Sequence, residues 1–394
     1  MASSASDEAR SHHRVELVHR LAGGDGRAAL EAFLAGIDDV RVETTLVDDV
    51  GLTVKTRLLR EEAPDCWIGW PGRTLEPYVQ AGMLADAGPV WTDDVRAAYR
   101  EGPREAARID GVFRAVPITI HRINNLFFHP DPVDRAGVDL ERVDSPAALI
   151  DALERIDEAV EAHPIAFPMK NPWTVLQAWE TILVALAGAS GYREILDGRV
   201  RDHRDAVERA LDIVARLADL AAPDALYSSL TRANDRFIEG SAVTITQGDW
   251  VAGQYVDRAD MEYGTDWDHV AVPGTGDAYV MNMDAVVATA AEDRDLDAVH
   301  ALLAYAASVD GQRRFNQKKG SIPPRSDVSM DAFGPFRQDQ ARAFDAARSQ
   351  PVSLTHGLGV SPTRLVECKT AMAAFVAERD VGATTTALVD ALAD

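Results

Sequence analysis

Lysine is nearly missing from this chain. Five stand among 394 residues, at Lys55, Lys170, Lys318, Lys319 and Lys369, while 63 Asp and Glu outnumber 40 Lys and Arg for a formal charge of -23. No stretch of clustered basic residues offers phosphates a track, which argues against a nucleic-acid partner. Cysteine is scarcer still: Cys66 and Cys368 are too few for a disulfide scaffold and lack the spacing of a metal site, so two buried thiols are expected. No apolar run approaches the ~18 to 20 residues of a membrane span, and MASSASDEARSHHR, residues 1–14, has no apolar signal core. A Gly-x-Ser-x-Gly elbow, a P-loop and a G-x-G-x-x-G are also absent, although GGDGRAAL follows a strand-like segment and opens a helix-like one, so no dinucleotide is expected. His12, His13 and His19 lack regular ligand spacing, which leaves no metal and no cofactor to predict.

The acid-rich, lysine-poor composition resembles that of halophilic proteins, where excess charge keeps a protein soluble in concentrated salt. At molar salt the Debye length shrinks to ~3 Å. Recognition must then rest on short hydrogen bonds and stacking. A chain of 394 residues exceeds the size at which one core stops growing, so two domains are expected.

Periodicity alternates along the first quarter. RVELVHR, VRVETTLV and PDCWIGW read as strands, and GGDGRAALEAFLAGI and GLTVKTRLLREEA between them read as helices. This β-α-β-α-β order implies parallel strands with right-handed crossovers, and ligands settle beyond the carboxyl ends of such strands. Those ends carry His19, Arg20 and Trp70. From Ser145 to Ala222 the text is almost wholly helical, broken by HPIAFPMKNPW. Strand-like SAVTITQGDW, the turn VPGTGDAY, strand-like VMNMDAVVATA and helical LDAVHALLAYAAS follow.

Three groups suggest chemistry. HRINN, His121 to Asn125, puts donors and acceptors into one short stretch after a strand, although a polar strand end would read the same way. QGDW sets Asp249 beside Trp250, a carboxylate next to an indole or an ordinary turn. Asp284 stands alone among apolar residues, where a charge is costly to bury unless it is hydrogen-bonded.

In order along the chain, FRAVPITIHRINNLFFH, GDW, PGT, Asp284, FNQKKGSIPPRSD and the late His356 resemble the extracellular solute-binding proteins of ABC sugar importers, in particular the glucose/mannose-binding branch. Together with the composition, this points to a halophilic archaeal source. The resemblance implies an α/β, two-lobed fold of type II, each lobe a mixed sheet flanked by helices, with the ligand in the interlobe cleft. It implies a leader at 1–13, a first lobe of 14–118 and 271–322, and a second of 119–270 and 323–394. KGSIPPR would return the chain to the second lobe near the hinge, with Lys319 fixing that passage and Lys318 solvated at a helix C-terminus.

The implied function is substrate binding for an ABC importer: a mono- or oligosaccharide is held and delivered to the membrane permease subunits, without catalysis. A monomer at the cell surface is expected, its signal or anchor segment not visible in this chain. Ligand contacts are expected from His19, Arg20, Trp67, Trp70, His121, Asn124, Trp173, Asp249, Trp250, Asp284 and His356, hydroxyls meeting polar groups and C–H faces meeting indoles. Where the branch carries a Trp pair after the first strand, this chain has His19 and Arg20, which predicts a ligand more polar than a simple hexose unless Arg20 pairs with an acid such as Asp25. Two alternatives remain: a carbohydrate-active hydrolase using Asp249 and Asp284, and a cytoplasmic sugar-sensing protein.

Overall fold

The computed structural model describes residues 14–256, 258–290 and 295–394. The expected leader at 1–13, with His12 and His13, lies outside the described residues. Two main sheets are built from β1 (Arg14–His19), β2 (Arg41–Leu46), β3 (Cys66–Gly69), β4 (Ala115–Pro117), β5 (Asn125–Phe128), β6 (His163–Ala166), β7 (Ala242–Gln247), β8 (Asp268–Ala271) and β9 (Ala285–Ala288).

The chain folds into two compact units. One runs to His121 and includes Asn282–Gln338; the other comprises Arg122–Met281 and Asp339–Asp394. In the first, strands run in the order β2-β1-β3-β9-β4. The β1-β2 and β1-β3 pairs are parallel, as the alternating pattern predicts, and β9 runs antiparallel to both β3 and β4. Side chains alternate across this sheet. Val15, Leu17, Cys66 and Ile68 fill the core on one face, whereas Val18 and Trp67 join Val50 and Val54 of the helix Val50–Leu59 on the other.

The second sheet has the order β8-β5-β7-β6, with β5 antiparallel to both neighbours and β6 parallel to β7. The predicted helices appear as Pro146–Ala159, Pro172–Leu196 and Arg204–Asp219. The longest bends at Gly188, whose φ of 69° is a backbone state that glycine adopts without a side-chain penalty. HPIAFPMKNPW was expected only as a break between helices, yet it contains β6.

The units divide at 121/122, 281/282 and 338/339, downstream of the expected 118/119, 270/271 and 322/323. Hydrogen bonds give the reason. Ile120 and Ile322 exchange backbone bonds of 2.8 and 3.0 Å inside the first unit. The Asn124 amide takes Ala278 O at 3.0 Å and Val280 N at 3.0 Å, which keeps residues 271–281 in the second. Arg325 donates to Ala307 O at 2.8 Å, its N–H reaches Gln312 Oε1 at 3.0 Å, and Ser326 N reaches Ala98 O at 2.8 Å. KGSIPPR is therefore bolted to the first unit, and the chain leaves that unit later, within the helix Pro335–Ala346. Cys66 and Cys368 are both buried thiols, as expected. No helix among the described residues is long and apolar enough to cross a membrane.

Candidate ligand-binding residues in each unit

Asp284 sits at the entrance to β9, only 4% exposed. Its N–H is held by Thr119 Oγ1 at 2.8 Å and its carbonyl by Ile118 N at 2.8 Å, so the backbone fixes where the carboxylate stands. Arg20 Nη2 donates to Oδ1 at 2.7 Å, and His121 Nε2 lies 3.8 Å from Oδ2. Burial alone would raise the Asp284 pKa. The Arg20 charge, then His121 and Lys319, outweigh it and hold the carboxyl well below the usual range.

Arg20 belongs to this cluster because β1 ends one residue before it, and its guanidinium lies 4.5 Å over the centre of the Trp70 ring at the end of β3. It is not an open fork: Asp284 takes one edge and Trp70 covers a face. Lys319 supplies the second pair, with Nζ 3.0 Å from Asp25 Oδ2 and both side chains nearly enclosed. Asp25 opens the helix Gly24–Leu34, so the acid that was the expected alternative partner of Arg20 is held by Lys319 instead. Lys318 is exposed beyond the helix Val309–Asn316, as predicted.

His19 is buried, accepts from Leu21 N at 3.1 Å through Nδ1, and has its pKa lowered by burial. Trp67 lies deeper than Trp70. Period-two alternation turns it to the core face of β3, where it is 4% exposed with its ring 5.9 Å from Tyr78.

In the second unit, Trp173 starts the helix Pro172–Leu196, and Trp250 follows β7 in a short 3-10 turn. Both are half-buried, and their rings meet His356 edge-on at 6.2 and 5.4 Å. Gly248 is required beneath Trp250, because a Cβ there would fall 2.3 Å from the indole. Asp249 is wholly enclosed, and its carboxylate accepts from Arg122 N at 2.9 Å.

Asn124 is bonded throughout within its own unit. It donates to Thr275 Oγ1 (2.8 Å) and Ala278 O (3.0 Å) and accepts from Val280 N (3.0 Å) and Arg122 Nε (3.3 Å). An amide has two donors and two acceptor lone pairs, so these four bonds use it completely and make it a framework residue.

The residue most clearly missed is Glu180. It is fully buried in the apolar run VLQAWETILVALA and receives bonds from Ser353 (3.0 Å), Leu354 N (2.7 Å), Thr355 N (3.0 Å) and Tyr192. The signal that singled out Asp284, a lone charge among apolar residues, was present here too.

Over residues 28–342 the chain matches the family described as bacterial extracellular solute-binding protein. It is 32% identical over 393 residues to the xylose/arabinose-binding protein XacG of Haloferax volcanii, an alignment covering 97% of this chain and 85% of that protein. It is 21% identical to the uncharacterized ABC transporter extracellular-binding protein PH1214 of Pyrococcus horikoshii, over 99% and 90% of the two chains. Among solved structures, a chitin oligosaccharide binding protein superposes with a TM-score of 0.83 at 15% identity, over 96% of this chain and 98% of the other. The solute-binding protein RafE in complex with raffinose gives 0.74 at 16%, over 96% and 98%. These likenesses carry the two-lobed fold.

Proposed function

We propose that this chain, which belongs to the family of bacterial extracellular solute-binding proteins, takes a neutral aldose, with aldopentoses first among the candidates. It is the sugar-binding component of an ABC importer. The observation that carries the neutral reading is the charge balance around Asp284. Arg20 and Lys319 face Asp284 and Asp25 in two close pairs, so no net charge is left to attract an anionic ligand. A balanced cluster beside an aromatic ring suits a polyol, whose hydroxyls both donate and accept and whose C–H faces pack on indole.

Trp70, Asp284, Arg20 and His121 form the contact surface of the first unit in this reading, and Trp173, Trp250 and His356 that of the second. Pentoses rank first because XacG is named for xylose and arabinose and aligns along nearly the whole chain. Binding without turnover is part of this reading: a general acid must hold a proton, and Asp284 beside Arg20 is kept ionised. The protein acts as a monomer at the cell surface and delivers its sugar to the permease subunits.

Melting curves in concentrated salt with xylose, arabinose, glucose and glucuronate test this, because a ligand specific to the native state raises the melting temperature by mass action. A neutral aldose should give the largest shift and be recovered intact. Glucuronate outperforming every neutral sugar would overturn the charge argument, and reducing sugar released from oligosaccharides in proportion to protein and time would overturn the absence of turnover.

A further inference from the structure

We propose that Glu180 is a positioning residue that acts through Ser353 to hold the His356 imidazole with its proton on Nδ1, so that Nε2 meets the sugar as a hydrogen-bond acceptor. This rests on the reading of His356 as a sugar contact.

The geometry lies within one unit. Glu180 Oε1 receives the O–H of Tyr192 and the N–H of Leu354 at 2.7 Å, and Oε2 receives the N–H of Thr355 and the O–H of Ser353, both at 3.0 Å. Glu180 and Ser353 are wholly buried, and His356 is 5% exposed. Ser353 Oγ also lies 2.9 Å from His356 Nδ1 and accepts the backbone N–H of His356 at 3.3 Å.

A serine hydroxyl has a single hydrogen. Two acceptors compete for it, the Glu180 carboxylate and the Nδ1 of a neutral ring, and a bond to an ionised acceptor is roughly twice as strong. The hydrogen therefore points at Glu180, and the Nδ1 contact is a hydrogen bond only when Nδ1 is the donor. In the neutral ring this leaves the lone pair on Nε2, the reverse of the preference of a free histidine side chain. Burial pushes the Glu180 pKa up, yet its four neighbours all present hydrogens, two of them backbone N–H groups that can do nothing else. Those donors favour the carboxylate. A protonated Glu180 would instead donate to Ser353 and turn the relay around. Trp173 and Trp250, meeting the ring at 65° and 64°, hold its plane.

The test is nitrogen NMR of the protein labelled with 15N-histidine, the His356 signals being assigned by their loss in His356→Gln. Wild type should show a pyrrole-like Nδ1 and a pyridine-like Nε2, and Ser353→Ala should move the proton to Nε2. The same variant should bind the tightest sugar of the xylose, arabinose and glucose panel about tenfold more weakly, the scale of one hydrogen bond. Glu180→Gln, which removes the charge at nearly constant shape, should also shift the ring pattern. A wild-type ring protonated on Nε2, or an unchanged pattern in folded Ser353→Ala, would overturn the relay. A His356→Gln protein that binds the sugar as tightly as wild type would sink the contact role of His356, whereas the ring pattern alone decides the relay.

Discussion

Asp284 of the first unit and Glu180 of the second are both buried carboxylates, and they are held by opposite means. Cations surround Asp284, with Arg20 at 2.7 Å and His121 and Lys319 nearby, and its pKa falls. Glu180 meets only neutral donors, and burial pushes its pKa up. Hydrogen bonds from neutral groups satisfy a buried carboxylate without fully offsetting its desolvation, whereas a neighbouring charge does both. The first arrangement keeps a carboxylate proposed to meet the ligand ionised. The second pins a loop.

The largest effect is therefore expected where one buried carboxylate gathers four donors. Glu180→Leu strands the Thr355 N–H in a dry interior, at about 1 to 3 kcal/mol. It leaves Leu354 N, the Tyr192 O–H and the Ser353 O–H only neutral second acceptors, Tyr192 Oη at 3.0 Å, Val352 O at 3.2 Å and His356 Nδ1 at 2.9 Å. A loss of about 4 kcal/mol in unfolding free energy, read from the urea midpoint at unchanged slope, is the expected outcome. A loss under about 1 kcal/mol would show that water satisfies this loop and that Glu180 does not pin it.

Asp284→Ala should act on binding rather than on the fold. The Arg20 side chain is 31% exposed and can turn to water, and Lys319 keeps Asp25. Calorimetric titration should show about 2 to 3 kcal/mol of lost sugar affinity, the scale of a charged hydrogen bond, with the melting temperature of the sugar-free protein nearly kept. Equal losses in affinity and stability would erase the contrast with Glu180.

The opposite shifts give opposite pH dependences. A depressed carboxylate contributes stability that is fully present above its ordinary value, 3.8 for Asp284, and is lost as pH falls below that. A raised one binds its proton more tightly in the native state, so wild type should lose ground to Glu180→Gln as pH climbs past the ordinary 4.5. Urea melts from pH 3 upward should give two difference curves, wild type minus Asp284→Asn and wild type minus Glu180→Gln, that bend in opposite directions by at most about 1.4 kcal/mol per pH unit. Curves bending the same way would mean that one of the two environments has been misread.

How legible these two sites were follows from what each rests on. The parallel β1-β2-β3 core and the long helices were written in local periodicity, and Asp284 stood out as a lone charge in a strand. Glu180 carried the same signal, but a helix that is apolar all round hides which neighbour it will meet. Its partners at 353–355 are more than 170 residues away in the chain, and no spacing rule joins them. Trp67 and Trp70 show the other limit. The indoles sit three residues apart, yet strand alternation buried the first in the core and left the second half-exposed at the strand end. Asn124 looked like a ligand group because an amide can read a sugar, and only distant partners in the chain reveal that its capacity is already used. β6 went unseen because four residues, the second of them Pro164, carry too little pattern.

The adjacent lysines draw the comparison at its finest grain, since two identical side chains one residue apart differ only in what surrounds them. Lys319 is 8% exposed and its amine is 3.0 Å from Asp25, while Lys318 points to solvent beyond its helix. Both members of the Lys319 pair keep slight access to water, so the cost of breaking it should fall between that of an exposed pair and that of a fully buried one. Lys319→Ala should cost about 1 kcal/mol or somewhat more, and Lys318→Ala should stay within about 0.5 kcal/mol of wild type, as surface changes do. Salt separates them further: molar salt screens an exposed charge at a helix end but reaches an enclosed pair poorly. The Lys319→Ala deficit should therefore persist in concentrated salt. A deficit that vanished there would make the Lys319–Asp25 pair an ordinary surface contact, and with it would go part of the charge balance that favours a neutral sugar.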